Sequence, residues 1–89
     1  MRRKTGYLLR EIGGQKIVVA VGERTRDFTG MITFTESGAL LWEALGEEQT
    51  EDRLTEQLTA VYDVPREQAA ADVHRFVRKM REAGLLDEC

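Results

Sequence analysis

Apolar residues change their spacing once along this chain, and the change divides it in two. In the first half they fall in short β-favouring runs: Tyr7 to Ile12, Lys16 to Val21, and Met31-Ile32-Thr33-Phe34-Thr35. Gly13-Gly14-Gln15 separates the first two runs, and paired Gly residues supply the positive φ angles that a tight hairpin turn needs. In the second run Ile17, Val19 and Val21 alternate with Lys16, Val18 and Ala20. The set expected to face outward, the one holding Lys16, is itself mostly small or apolar, so partial cover on both faces is expected. In the third run Met31 and Thr33 point one way, Ile32 and Phe34 the other. A polar, turn-rich connection from Gly22 to Thr29 precedes it. A short strand reached by so long a loop suits the edge of a sheet, where backbone groups are left unpaired.

In the second half the period becomes helical. Thr35 is an N-cap whose hydroxyl can accept from an N–H of the first turn, and Glu36 suits the positive end of the helix dipole. That helix carries Ala39, Leu41, Trp42 and Leu45 and stops at Gly46. Thr50 caps a second helix, in which Leu54, Leu58, Val61 and Tyr62 form one apolar face. A third begins around Pro65, whose fixed φ fits a first turn. Its buried stripe is Ala69, Val73, Phe76, Val77 and Met80, and Gly84 ends it so that Leu85-Leu86 fold back on the core. The order β-β-β-α-α-α predicts an α+β fold: winged-helix-like, a three-stranded antiparallel sheet followed by a three-helix bundle, one domain over residues 1–89.

Charge adds an asymmetry to this outline. The net charge is -3, yet residues 36–63 hold eight acidic residues against one Arg. Residues 64–83 hold five basic residues, Arg66, Arg75, Arg78, Lys79 and Arg81, against three acidic ones. The last helix is thus basic on an acidic body. The pI near 5.2 disfavours nucleic acid, whose phosphates call for a positive face. No apolar run reaches the ~18 residues of a membrane span. Arg2, Arg3 and Lys4 are not followed by the apolar core of a signal peptide, so no membrane partner and a cytoplasmic location are expected.

Candidate chemistry is sparse. His74 is the chain's one histidine and falls beside the buried stripe, as a solvated residue does. Cys89 is the one cysteine, so neither a disulfide framework nor a cysteine-based metal site is expected. Glu47-Glu48 and Glu51-Asp52 suit a solvated loop and a helix N-terminus, and no Gly spacing matches a phosphate-cradling loop. The expectation is a binding module with no catalytic residue, metal or cofactor. Met31 to Phe34 as an exposed edge could accept a peptide as an added strand.

The ordered set Leu9-Arg10-Glu11-Ile12, Asp27-Phe28-Thr29-Gly30-Met31-Ile32-Thr33 and Thr35-Glu36-Ser37-Gly38-Ala39-Leu40-Leu41-Trp42 resembles the PqqD-like family, named for pyrroloquinoline quinone synthesis protein D. Tyr62-Asp63-Val64, Ala71-Asp72-Val73 and Ala83-Gly84-Leu85-Leu86 extend the resemblance to Leu86. The resemblance implies a non-catalytic element that binds the leader of a ribosomally made precursor peptide. It also implies a partner modifying enzyme, such as a radical S-adenosylmethionine protein or a leader peptidase. In such domains the leader lies antiparallel to the third strand, in a groove walled by the third helix. Carried over by position, the peptide-binding residues are Met31, Ile32, Thr33 and Phe34 on the strand and Val73, Phe76, Val77 and Lys79 on the helix. Two other readings stay open. One is a winged-helix nucleic-acid binder using the basic last helix, against which stand the pI and the uncharged Gly13-Gly14-Gln15 turn. The other is a structural subunit forming a homodimer through the edge strand.

Overall fold

The computed structural model describes residues 1–22 and 32–87. Met31, the lead-in Asp27-Phe28-Thr29-Gly30 and Cys89 lie outside the described residues. Strands β1 (Arg2–Arg3), β2 (Tyr7–Ile12), β3 (Gln15–Ala20) and β4 (Ile32–Phe34) come first. Helices α1 (Glu36–Ala44), α2 (Glu51–Val61) and α3 (Arg66–Glu82) follow, and β5 (Leu86–Asp87) closes the order. The fold is α+β, with the antiparallel sheet β2-β3-β4 ahead of the helices, as expected. Between β2 and β3 the Gly-Gly turn has φ +59° and +80° at Gly13 and Gly14, the left-handed pair that a two-residue hairpin loop demands.

Register settles which side chains share a face. Tyr7 and Leu9 on β2, Val18 and Ala20 on β3, and Ile32 and Phe34 on β4 lie on one side, against the helices. Leu8, Arg10 and Ile12, Gln15, Ile17 and Val19, and Thr33 lie on the other. The inward set of β3 is therefore the one holding Lys16, the reverse of the sequence expectation. With both sets apolar, alternation alone cannot choose; pairing with Tyr7 and Phe34 does. Val18 is fully buried, and Ile17, on the other side, is 7% exposed and outside the core cluster.

The expected caps are in place. The Thr35 hydroxyl accepts from Gly38 N at 3.2 Å, and that of Thr50 from Arg53 N at 3.2 Å. Pro65 stands at the start of α3, and Gly84, φ +76°, follows its end. Trp42, Leu45, Leu54, Val73, Val77, Met80 and Leu85 are at the centre of the core. Val61 was expected on the apolar face of α2 but is 61% exposed. It is the last helical residue; the chain turns extended at Tyr62, and Tyr62, half-buried, packs on the core there instead.

The two-residue strands β1 and β5 pair with each other, Arg3 opposite Leu86. This small ribbon ties the N-terminal arm over the base of the core. Arg3 N donates to Leu45 O (2.8 Å), and Lys4 N to Leu85 O (2.9 Å). The Arg3 guanidinium donates to Trp42 O at 2.8 Å and stands 5.3 Å from the indole centroid. It thereby satisfies an end carbonyl of α1 and adds a cation–π contact.

Candidate functional site

Strand β4 pairs with β3 alone among the described residues: Lys16 with Phe34, Ile17 with Thr33, Val18 with Ile32. Among the described residues its other side is unpaired, and hydrogen-bond alternation says which backbone groups that edge offers. Val21 N donates to Gly6 O at 2.9 Å, which makes Gly6–Val21 a hydrogen-bonded pair. In an antiparallel ladder such pairs alternate, so the odd-numbered residues of β3 are bonded to β2 and the even-numbered ones turn toward β4. Lys16–Phe34 and Val18–Ile32 are thus the bonded pairs of the second ladder. The N–H and C=O of Ile32 and Phe34 point at β3, and those of Thr33 point outward. Thr33 is the residue whose main chain the edge presents.

Side chains divide the opposite way. Thr33 is exposed on the outer face, whereas Ile32 is half-buried and Phe34 buried at 8% on the inner one. Phe34 is held between two rings, with Trp42 of α1 at 5.8 Å and Phe76 of α3 at 5.5 Å between centroids. Gly38 makes room: a Cβ there would stand 3.3 Å from that of Phe34. Phe76 fixes which flank of α3 faces the strand, a point its periodicity leaves open. Asp72, Phe76 and Lys79 share that flank, at spacings of four and three.

The expected helix residues therefore separate. Phe76 is half-buried and forms the wall beside β4, and Lys79 is exposed one turn further on, with no ion pair among the described residues. Val73 and Val77 have no exposed surface and support the wall from within the core.

Beyond the end of β4 the surface sinks into a depression the sequence does not announce. One part, about 290 Å³, is lined by Thr35, Glu36, Ser37, Leu58, Tyr62, Val64 and Asp72. An adjoining part, about 300 Å³, shares Thr35, Ser37, Leu58 and Asp72 and reaches Phe76 through Arg75. The depression thus continues the Phe34–Phe76 wall past the strand end. Its floor is apolar and its rim polar, the build of a side-chain pocket. Asp72 and Arg75 could have been found from the sequence as the residues four and one before Phe76. Leu58, Tyr62 and Val64 could not, because only tertiary packing brings the end of α2 there.

The polar side chains described at the site are engaged with one another. Asp72 is ion-paired with Arg75, and the Thr35 hydroxyl is engaged in its cap and within 3.0 Å of that of Ser37. His74 lies on the surface, its Nδ1 3.2 Å from a carboxylate oxygen of Glu51. No group of three or more His, Cys, Asp or Glu side chains among the described residues is placed to hold a metal.

Comparison with known proteins places this geometry in a family. No curated protein matches the chain. Two solved structures share its fold. One is TbiB1 in complex with the TbiA(beta) leader peptide: TM-score 0.76, 17% identity, 100% of this chain and 98% of that one. The other is lasso peptide synthetase B1 complexed with the leader peptide: TM-score 0.71, 18% identity, 94% of this chain and 93% of that one. The family described as coenzyme PQQ synthesis protein D (PqqD) matches residues 15–86, from the hairpin turn to the closing ribbon. The chain belongs to the PqqD family.

Proposed function

We propose that this chain is a non-catalytic recognition module that captures the leader segment of a precursor peptide as an added strand on the β4 edge and presents it to a modifying enzyme. The observation that carries the reading is the outward main chain of Thr33 on a strand with one neighbour, beside the half-exposed ring of Phe76. A peptide residue opposite Thr33 exchanges two backbone hydrogen bonds with it. Side chains on either side of that residue then point to the inner face, toward Ile32, Phe76 and Lys79. Those beyond the strand end enter the depression floored by Leu58 and Val64. Leader-bound relatives of the same fold support the choice of ligand. A radical S-adenosylmethionine protein or a leader peptidase is the kind of enzyme served, in the cytoplasm.

Proline substitution tests the geometry. Thr33→Pro removes an outward N–H, and Pro is tolerated on an edge strand when its nitrogen faces solvent. The variant should keep its melting temperature within a few degrees and lose about 1 kcal/mol or more of leader affinity. Ile32→Pro should instead destabilise the fold, since that N–H belongs to the ladder with Val18. Calorimetric titration with the leader of a precursor encoded beside this chain gives the affinities. A folded Thr33→Pro protein that binds as the wild type does would remove β4 as the docking edge.

A further inference from the structure

Antiparallel sheets with one covered face carry polar residues on the other. Here the outer face is apolar as well: Ile17 near its middle is 7% exposed, and the apolar residues around it are open. Leu8 is 42% exposed, Ile12 58% and Val21 37%, which makes them three of the four exposed large apolar residues among the described residues. All three fall on the outer side by register, as does Val19, and none belongs to the core cluster or packs against it. Exposed apolar residues grouped on one face mark an interaction surface, whereas scattered ones need no explanation.

The polar residues of the face say what sits there. Arg10 lies between Leu8 and Ile12 along β2, exposed and without an ion pair among the described residues. The other described polar residues on that side, Gln15 and Thr33, are uncharged, and Glu11 points to the opposite side. A second copy stacked face to face would bring Arg10 against Arg10, or against bare aliphatic surface, with no carboxylate among the described residues of that face to meet either guanidinium. Covering an unpaired charge in that way is unfavourable. The complementary occupant is a different protein, with a carboxylate set in an apolar surface.

Thr33 also points to this side, so a strand added at the β4 edge continues the same face with its own alternate side chains. We propose that the outer sheet face around Leu8, Arg10 and Ile12 is the docking surface for the modifying enzyme, which supplies an acidic residue to Arg10 and touches the bound leader at the same time. This rests on the leader-capture reading. It adds the surface and the partner's chemistry, and it makes leader and enzyme mutually reinforcing ligands.

Two variants test it, Arg10→Glu and the double variant Leu8→Thr with Ile12→Thr, which places strand-favouring β-branched residues at both positions. Each is titrated first with the leader, then, leader-loaded, with the modifying enzyme encoded beside this chain. Expected are wild-type melting temperature and leader affinity in both variants, and enzyme affinity lower by about tenfold or more. The wild type should bind the enzyme more tightly with leader than without. Variants that bind the enzyme as the wild type does overturn the proposal, as does a wild type that binds leader but no enzyme. Concentration-dependent dimers abolished by the same changes would give the face to a second copy, and anionic vesicles released by Arg10→Glu would give it to lipid; either result overturns the proposal. Absence of leader binding in every form would overturn the leader-capture reading itself.

Discussion

Arg3 shows how one side chain can hold two elements at once. It donates to the Trp42 carbonyl in the last turn of α1 and stands against the indole, joining the N-terminal arm to that helix. Arg3→Ala should cost about 1–3 kcal/mol in urea denaturation, the range for a hydrogen bond from a charged donor plus a cation–π contact. Arg3→Lys should recover less than half, because an ammonium lacks the planar fork that serves carbonyl and ring together. None of this was legible in the sequence, where Arg2-Arg3-Lys4 is only a basic stretch. Thr35, Thr50 and Pro65 were legible, because a cap is a local event that the adjacent residues decide. Val73, Phe76 and Val77 formed one apolar stripe on paper; in the fold two are core and one is wall. The difference is a rotation of the helix by a fraction of a turn, which no spacing encodes.

At the scale of elements, the hairpin turn decides the sheet. With φ +59° and +80° at Gly13 and Gly14, any side chain there is strained even though open space surrounds both. Gly14→Ala should lower stability by about 1 kcal/mol, read as a shift of the denaturation midpoint with unchanged slope. The turn also sets register, and register sets which residues of β3 face the helices. A slip by one would put Ile17 and Val19 inside and Val18 outside, and it would turn the Thr33 main chain inward. The sequence hinted at this ambiguity through the two apolar faces of its second run but could not resolve it. The caps of α2 are simpler: Thr50→Ala should cost about 1 kcal/mol, and its effect on leader binding should be nil.

Across the whole molecule, the core and the edge divide the labour. Trp42, Phe34 and Phe76 form a line of rings from the interior to the surface, so the wall beside β4 is braced from behind. Backbone amide exchange should reflect this: slow at Ile32 and Phe34, fast at Thr33, with Thr33 alone of the three slowed markedly by leader. The outward main chain of Thr33 has a further meaning. Backbone pairing reads no sequence; a long open edge collects any extended chain, including denatured ones and its own copies. Over the described residues this edge displays the main chain of Thr33, whose pairing does not distinguish one extended chain from another. Discrimination among extended chains then falls to the side chains that fit beside Phe76.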